Sequence, residues 1–309
     1  PIARSIRKMF TFFTNLLQRL LGDKDIRRHK KSIFYYIIFR LVRRTLKRDL
    51  KVKIHNFYVW ASYKKNKQSH SILRKCDFED LQEFKLIEKI YAKKKILLFD
   101  CGANFGFYSL YVASKSNQNK IYSFEASPST FEDLKKNISL NNFNNINSFN
   151  IAISDKKDRE IEFVESINDW ESSLSNSNFE IVNKVKIKTN ILDDFNDKDL
   201  DKINDYHTII KLDVEGHEMN VLKGGSRLIK NYSPLIIIEF SKFIKNEDYE
   251  IMQSFIDLNN YAVYDSKYNL INIEIVKNRL NELPKNMFGI GNNFLIEKNS
   301  DLESLIKKN

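Results

Sequence analysis

Five acidic residues directly follow predicted β-strands, and their placement is the strongest sign of chemistry in this sequence. They are Asp100, Glu125, Asp155, Asp213 and Glu239. In an open parallel sheet, ligands bind beyond the carboxyl ends of the strands. Acids at five such ends lie along one rim of the sheet, which predicts a ligand site there.

The first acid begins a turn of small residues between a predicted strand and a predicted helix. Residues 96–106 read Ile-Leu-Leu-Phe-Asp-Cys-Gly-Ala-Asn-Phe-Gly, and a helical pattern starts at residue 107. Small residues let a ligand approach the backbone closely, and the amides at the helix start then face it. The turn therefore predicts a bulky, polar ligand.

The residues around this turn indicate a ligand with an adenosine part. The dinucleotide fingerprint Gly-x-Gly-x-x-Gly and the Walker pattern are both absent from the turn. Asp100 disfavours a phosphate because two negative charges repel. Glu125 ends the next strand, where a carboxylate can accept hydrogen bonds from both ribose hydroxyls. We expect an adenosine cofactor with a cationic end, such as an ammonium or a sulfonium.

A second titratable cluster lies at residues 211–218, which read Lys-Leu-Asp-Val-Glu-Gly-His-Glu. His217 titrates near neutrality, as a general base must, and Asp213 can act as a base or orient the substrate with Lys211 as its partner. The alternative is an ion-paired helix start, in which Glu215 and Glu218 complement the helix dipole. We favour catalysis for Asp213 and the helix start for Glu218, and both roles stay open for His217.

No metal is expected at this rim. The five histidines include no pair at ligand spacing, and the sequence has no Cys-x-x-Cys. Carboxylates can bind Mg²⁺ or Ca²⁺, and the sequence leaves that alternative open. Cys76 and Cys101 are expected to be reduced thiols of a cytosolic protein.

The elements that must position these residues alternate between strands and helices. This alternation predicts a mostly parallel sheet of the α/β class, with seven strands and helices on both faces. The predicted strands of the main run are residues 96–100, 120–124, 146–153, 207–213 and 234–240, and the predicted helices are 77–91, 107–113, 129–141 and 218–230.

Further short strands complete the predicted domain. Strands at 261–264 and 293–296 close the sheet, and strands at 161–164 and 185–189 predict a β-hairpin insertion. Residues 51–63 predict a strand pair. We divide the main domain, residues 51–309, into a cover at 51–95, a cofactor-binding core at 96–240 and a sheet closure at 241–309.

Residues 1–50 are predicted to form a basic helical extension. The first 53 residues carry 16 lysines and arginines against three acids, a net charge of +13, whereas the rest of the chain carries −2. Apolar and cationic clusters at spacings of three and four predict two amphipathic helices. Such helices bind anionic membrane surfaces, although docking on the main domain or an oligomer contact fits the same pattern. No run approaches the ~20 apolar residues that span a bilayer.

Six motifs in order resemble those of FkbM-family methyltransferases. They are Asp100-Cys-Gly-Ala-Asn-Phe-Gly, Phe124-Glu-Ala-Ser-Pro, Ile151-Ala-Ile-Ser-Asp, Ser172-Ser-Leu, residues 189–193 and Lys211-Leu-Asp-Val-Glu-Gly-His-Glu. The resemblance covers roughly residues 96–240. It implies a class I methyltransferase fold, which is Rossmann-like, with S-adenosyl-L-methionine as the cofactor.

The resemblance also implies roles for individual residues. The cofactor is expected over Asp100, Gly102, Asn104 and Gly106, with Glu125 at the ribose and Ser154 and Asp155 at the adenine. Methyl transfer is an in-line displacement, so the protein mainly aligns the acceptor and removes its proton. We predict that Asp213 and His217 serve the acceptor hydroxyl, supported by Lys211 and Glu239, and that Ser172, Ser173 and Glu215 contact the substrate.

The predicted function is O-methylation of a sugar hydroxyl in a glycan or a lipid-linked glycan precursor. We expect a cytoplasmic protein that reaches the inner face of a membrane through residues 1–50, and that does not bind nucleic acid. Two alternatives remain. A nucleic-acid methyltransferase would hold phosphates with the basic arm, but the main domain is slightly acidic. A non-catalytic membrane-associated scaffold would retain a degenerate cofactor fold.

Overall fold

The computed structural model describes residues 49–62, 81–166, 181–195, 205–242, 244–284 and 289–307. The chain divides into two compact units, one of Pro1–His55 with Val59–Glu79 and one of Asn56–Tyr58 with Asp80–Asn309. Strands β1 (Leu50–Ile54) and β2 (Phe57–Ala61) form a two-stranded sheet, which confirms the predicted strand pair. The predicted extension at residues 1–50 lies almost wholly outside the described residues, and its boundary stays a prediction.

The second unit alternates strands and helices along the chain. In order these are α1 (Leu81–Tyr91), β3 (Lys95–Cys101), α2 (Phe107–Lys115), β4 (Lys120–Phe124), α3 (Pro128–Asn141), β5 (Ile146–Phe149), β6 (Ala152–Ile153), β7 (Glu160–Ser166), β8 (Ile181–Asn190), a 3₁₀ helix (Leu192–Phe195), β9 (Tyr206–Leu212), α4 (Glu218–Gly224), α5 (Ser226–Tyr232), β10 (Leu235–Ser241), α6 (Asn246–Leu258), β11 (Tyr261–Tyr264), β12 (Leu270–Ile271), α7 (Ile273–Asn281), β13 (Gly289–Glu297) and α8 (Asp301–Lys307). No helix in this described part is long and apolar enough to cross a membrane.

The central sheet has eight strands in the order β12-β11-β13-β10-β9-β3-β4-β5. The five strands from β10 to β5 are parallel to one another, and β13 runs antiparallel between β10 and β11. The predicted mostly parallel sheet is confirmed, with its seven strands joined by the two-residue edge strand β12. The carboxyl ends of the parallel strands therefore share a rim with the beginning of β13.

The predicted β-hairpin insertion is also confirmed. Strands β7 and β8 pair antiparallel, with Glu160 opposite Lys188. The strand predicted at residues 146–153 is divided, because β5 belongs to the central sheet whereas β6 pairs with β8 in a separate three-stranded sheet. Residues 167–180, which join β7 to β8 and include Ser172 and Ser173, lie outside the described residues.

The buried strands hold the rim in place. Residues 96–99 of β3 are completely buried, as expected for a parallel strand covered on both faces. At the end of β4, the ring of Phe124 packs 4.7 Å from that of Phe195, which packs 5.1 Å from Phe149. Such aromatic pairs contribute about 0.5–1.5 kcal/mol each beyond the area that they bury. They fix the backbone just before Glu125.

The single helix predicted at residues 218–230 is two helices. The residue between them, Gly225, has φ −110° and ψ 15°, outside the helical region. A β-carbon on Gly224 would lie 1.9 Å from the carbonyl oxygen of Ser154, so the end of α4 contacts that backbone directly. Local propensity alone predicts a continuous helix, and this contact with a distant segment lies at the point where α4 ends.

A buried aspartate begins the second of these helices. Asp193 Oδ1 accepts a hydrogen bond from the Leu228 amide at 2.8 Å, and Oδ2 accepts one from the Arg227 amide at 3.2 Å. The two amides lie in the first turn of α5 and have no acceptor within their own helix. Asp193 therefore satisfies them and starts α5.

Candidate active site

Strand register brings the predicted acids to one rim of the sheet. Asp100 lies opposite Lys211 in the parallel pair of β3 and β9. One residue beyond β9, the Asp213 amide donates to the Cys101 carbonyl oxygen at 3.1 Å. Glu239 of β10 lies opposite Asn292 at the beginning of β13. The ends of β3, β9 and β10 and the start of β13 thus share this edge.

The turn after β3 has no room for side chains at two positions. Gly102 has φ +76°, and a β-carbon there would lie 1.9 Å from the carbonyl oxygen of Asp213. Gly106 has φ +85°, and its β-carbon would lie 2.5 Å from Leu134 Cδ1. At Gly102 fixed backbone excludes a side chain, whereas at Gly106 the neighbour is the end of a flexible side chain and the left-handed backbone is the main reason for glycine. The turn therefore packs backbone against backbone on the loop after β9 at Gly102.

Glu125 connects the turn to the end of β4. Its Oε2 accepts a hydrogen bond from the Asn104 amide at 2.8 Å, and its Oε1 accepts one from the Ser127 amide at 2.8 Å. Burial raises the pKa of Glu125 to about 7, and the two amide hydrogen bonds oppose that rise. Each carboxylate oxygen has a second lone pair, so both can also accept from a ligand.

One carboxylate oxygen of Asp100 is hydrogen-bonded within the protein. Its Oδ2 accepts hydrogen bonds from the Ser109 amide at 3.1 Å and from Ser109 Oγ at 2.5 Å, and Ser109 Oγ lies 2.7 Å from Ser123 Oγ. Burial raises the pKa of Asp100 to about 6, and Lys211 is among the groups that lower it. Asp100 therefore ties β3 to α2, and its predicted contact with a cofactor stays a prediction.

Lys211 and Asp213 form an ion pair with one buried and one accessible partner. Lys211 Nζ lies 3.6 Å from Asp213 Oδ2, and the Lys211 side chain is 2% exposed whereas that of Asp213 is 39% exposed. The ammonium also lies 5.3 Å from the centre of the Tyr108 ring, within range of a cation–π interaction. The pair presents a carboxylate to the rim with a fixed cation behind it.

Two further carboxyl groups in this loop have raised pKa values. Burial raises the pKa of Glu215, and the negative charges of Asp213 and Glu239 raise it further. Burial raises the pKa of Glu218 to about 7. Its Oε1 accepts from the amides of Gly216 at 3.2 Å and Val214 at 3.4 Å, so Glu218 organises the loop at the start of α4.

His217 has different neighbours from those predicted. Its Nε2 lies 2.9 Å from Ser154 Oγ, and its Nδ1 lies 3.0 Å from Asn220 Nδ2. Burial lowers its pKa, and the charges that oppose this shift are Asp155 and Asp248. The structure therefore brings His217 together with the predicted adenine residues Ser154 and Asp155, and it places Asp213 with Lys211.

Two residues at the rim were not predicted from the sequence. Asn292 Nδ2 donates to Tyr108 Oη at 3.1 Å, and both residues are buried. Asn292 Oδ1 is also buried and has no hydrogen-bond partner in the described part of the chain. A signal was present, since Asn292 and Asn293 directly precede the apolar residues 294–296 of β13, but Tyr108 reads as an ordinary core aromatic.

The turn also contains an unpartnered polar atom that fits a cofactor. Asn104 Oδ1 is buried without a hydrogen-bond partner among the described residues, while the Asn104 amide is held by Glu125. A buried polar atom left unpaired costs about 1–3 kcal/mol. The acceptor oxygens of Glu125 and this orphaned atom together suit a polar, adenosine-like ligand.

The described residues were also compared with the requirements of a metal site and of a reactive thiol. The described ranges contain no group of three or more His, Cys, Asp or Glu side chains placed to hold a metal ion. Cys101 is buried, and burial raises the pKa of its thiol well above the usual value, so it is held as the unreactive neutral form. The other cysteine, Cys76, lies outside the described residues.

The known proteins to which this chain is similar are methyltransferases. Residues 100–266 match the family model described as "Methyltransferase FkbM domain". The chain is 24% identical over 147 residues to Methyltransferase 1 of Beauveria bassiana, covering 41% of this chain and 57% of that protein. It is 26% identical over 159 residues to Methyltransferase sdnD of Sordaria araneosa, covering 41% and 59%. The chain thus spans less than two thirds of either relative.

Among solved structures, the chain is similar to the FkbM methyltransferase of Methylobacillus flagellatus KT. The sequence identity is 16% and the TM-score is 0.39, over 66% of this chain and 43% of that chain.

Proposed function

We propose that this chain, which belongs to the FkbM methyltransferase family through residues 100–266, is an S-adenosylmethionine-dependent O-methyltransferase. The observation that carries the proposal is the contact between the turn after β3 and the loop after β9. The bare backbone of Gly102 touches the carbonyl of Asp213, and the Asp213 carboxylate is accessible beside a buried lysine. A site for a cofactor and a site for an acceptor proton therefore adjoin.

The residues around the turn are suited to hold S-adenosylmethionine, which supplies a methyl group on a sulfonium. Glu125 would accept hydrogen bonds from the ribose hydroxyls through the remaining lone pairs of its two carboxylate oxygens. Asn104 would find a partner for its buried oxygen. Ser154 and Asp155 would face the adenine. Asp100 braces the turn from below through Ser109.

On the acceptor side, Asp213 is the group best suited to take the proton. The carboxylate would accept the proton that the acceptor hydroxyl loses when it takes the methyl group, whose bond to the sulfonium sulfur would break to leave S-adenosylhomocysteine. Lys211 is held 3.6 Å from that carboxylate and fixes its position. Positioned proton transfer of this kind contributes about 10²- to 10⁴-fold to a rate. Glu239 and Glu215 would orient the acceptor, and a base role for His217 stays a prediction.

The acceptor that we propose is a sugar hydroxyl in a glycan or a lipid-linked glycan precursor. The rim supports this choice because Tyr108, Glu239 and Asn292 provide several hydrogen-bonding groups within one small region. A polyhydroxylated acceptor can exchange hydrogen bonds with several polar groups of this kind at once. Ser172 and Ser173 would add further contacts from the loop between β7 and β8.

Two measurements test the proposal. Calorimetric titration with S-adenosylhomocysteine tests the cofactor site, and transfer of radiolabel from methyl-labelled S-adenosylmethionine to glycan and lipid-linked fractions tests the activity. Asp213→Asn should keep S-adenosylhomocysteine binding within about threefold and lower transfer at least 100-fold. Asp133→Asn, in the exposed ion pair with Lys136, is the matched control and should change neither. Full transfer by Asp213→Asn would refute the acceptor assignment.

The place of action that we propose is the inner face of a membrane, reached from the cytoplasm through the basic residues 1–50. The net charge of +13 in the first 53 residues supports attraction to anionic lipids, at about 1 kcal/mol per residue near the surface. Flotation with anionic vesicles should depend on residues 1–50. Equal flotation of the full chain and of the form without them would contradict this. Label transfer to RNA in place of glycan would favour the nucleic-acid alternative.

A further inference from the structure

His217 belongs to the titratable cluster at residues 211–218, and it contacts Ser154, one of the two residues predicted to lie at the adenine. It directly precedes α4, and its Nε2 lies 2.9 Å from the hydroxyl of Ser154, a residue 63 positions earlier in the chain. Ser154 is 6% exposed, and its Oγ lies 3.2 Å from Asp155 Oδ1. These contacts connect α4 to the segment that follows β6.

The hydrogen bonds in this network have one consistent direction. The Ser154 hydroxyl has one proton, which it donates to Asp155 Oδ1 at 3.2 Å, so its oxygen accepts from Nε2 of His217. With the ring proton assigned to Nε2 in this way, Nδ1 is the acceptor for Asn220 Nδ2, which lies 3.0 Å from Nδ1 and 3.2 Å from Nε2. The chain of donors therefore ends on the exposed carboxylate of Asp155.

The backbone holds this network rigid at both ends of α4. His217 contacts Ser154 at the start of the helix, and Gly224 at its end touches the Ser154 carbonyl so closely that a β-carbon would overlap it at 1.9 Å. The Ser154 amide also donates to the Asn190 carbonyl at 2.8 Å. Ser154 therefore cannot shift without moving α4.

This arrangement leaves neither ring nitrogen of His217 available to a methyl acceptor. Nδ1 accepts from Asn220 and Nε2 donates to Ser154, so a base role would require Nδ1 to give up its contact with Asn220. The burial that lowers its pKa favours the same neutral ring. Its geometry is that of a histidine that orients a neighbour, with the second ring nitrogen fixing the tautomer.

We propose that His217 is a positioning residue of the cofactor site, which acts through Ser154 to hold the Asp155 carboxylate toward the 6-amino group of the adenine. The inference rests on the proposed function, because it takes Asp155 as the adenine contact. It gives His217 a role in cofactor affinity and base recognition, and it assigns proton removal to Asp213 alone.

Binding measurements test this without knowledge of the acceptor. Calorimetric Kd values are compared for S-adenosylhomocysteine and S-inosylhomocysteine, which has an oxo group in place of the 6-amino group. His217→Ala should weaken S-adenosylhomocysteine binding roughly 3- to 10-fold, as for one lost hydrogen bond, and should reduce the preference for adenosine over inosine. A purely structural role would weaken both ligands equally.

Further variants separate the steps of the network. His217→Gln retains an amide donor and should recover most of the affinity and the preference. Combined with Asp155→Asn, His217→Ala should add less than its single effect, because both act on the same contact. His207→Ala is the matched control, since His207 lies near the amino end of β9, and it should leave both Kd values unchanged.

The outcomes distinguish the inference from the function on which it rests. Failure of the unaltered chain to bind S-adenosylhomocysteine would overturn the proposed function. Tight binding by the unaltered chain with equal affinity and equal base preference in His217→Ala would overturn the inference alone. Loss of methyl transfer in His217→Ala with unchanged binding would instead restore the base role.

Discussion

The α-carbon of Gly102 lies directly against the carbonyl of Asp213, where an added β-carbon would be 1.9 Å from the oxygen. This contact joins the turn after β3 to the loop after β9, backbone against backbone. The Asp213 amide completes the junction by donating to the Cys101 carbonyl at 3.1 Å. The turn after β3 and the loop that carries Asp213 are thus parts of one rigid structure.

Gly102→Ala should therefore damage the protein far more than its backbone strain alone predicts. Gly291 is a matched control because its φ of +77° nearly equals that of Gly102, while nothing lies within 4 Å of its β-carbon position. Gly291→Ala should cost about 1–2 kcal/mol, the ordinary penalty of a left-handed residue. Gly102→Ala adds a steric overlap with fixed backbone, so it should cost several kcal/mol more by urea unfolding and abolish S-adenosylhomocysteine binding. Equal costs for the two variants would show that the junction is soft.

Lys211→Met should separate catalysis from cofactor binding. Methionine keeps most of the side-chain volume against Tyr108 but removes the cation that lies 3.6 Å from Asp213. Without it the Asp213 carboxylate loses the partner that fixes its position, so we expect methyl transfer to fall more than 10-fold. S-adenosylhomocysteine binding should change less than threefold. Lys223→Met on the exposed face of α4 serves as the control; a large loss of binding in Lys211→Met would contradict this division.

The strand ends could be predicted from the sequence because their signals are local. An apolar run followed by an acid marks the ends of β3, β9 and β10, and the alternating segments at 161–164 and 185–189 mark the hairpin. Contacts between distant segments leave no such signal. The partner of His217 is 63 residues away and that of Asn292 is 184 residues away. The break at Gly225, next to the contact of Gly224 with the Ser154 carbonyl, was likewise not predicted.

Glu218 should make the protein less stable as the pH rises. Burial raises its pKa in the folded chain to about 7 from an ordinary value near 4.5. A raised folded-state pKa means that its contribution to stability is present below about pH 4.5 and is lost as the pH rises through 7. Glu218→Gln does not titrate, so its stability relative to the unaltered chain should increase by up to about 3 kcal/mol from pH 4.5 to pH 8.

Urea unfolding of the cofactor-free protein at these two pH values provides the measurement. Glu303→Gln is a control of opposite sign, because hydrogen bonds from Lys307 and Tyr264 are among the interactions that lower the pKa of Glu303 in the folded chain. Its relative stability should stay nearly constant between these two pH values, and an additional measurement below pH 4.5 should show it decreasing as the pH rises through the lowered pKa. A pH-independent difference between Glu218→Gln and the unaltered chain would refute the role of burial at Glu218.

Asn292→Leu should leave the protein folded and stable while impairing methyl transfer. The buried Oδ1 of Asn292 has no partner among the described residues, so replacing the amide by an apolar group of similar size removes a cost of about 1–3 kcal/mol and loses one bond to Tyr108 worth about 0.5–1.5 kcal/mol. The neighbouring Asn293 is equally buried, but its amide donates to the Gly291 carbonyl at 2.9 Å. In urea unfolding, Asn293→Leu should therefore lower the free energy of unfolding by about 1 kcal/mol. Asn292→Leu should not lower it. An acceptor contact of Asn292 predicts a second effect. Asn292→Leu should raise the KM for the glycan acceptor and leave S-adenosylhomocysteine binding unchanged. Equal destabilisation by both variants with unaltered KM would show that Asn292 is an ordinary structural residue.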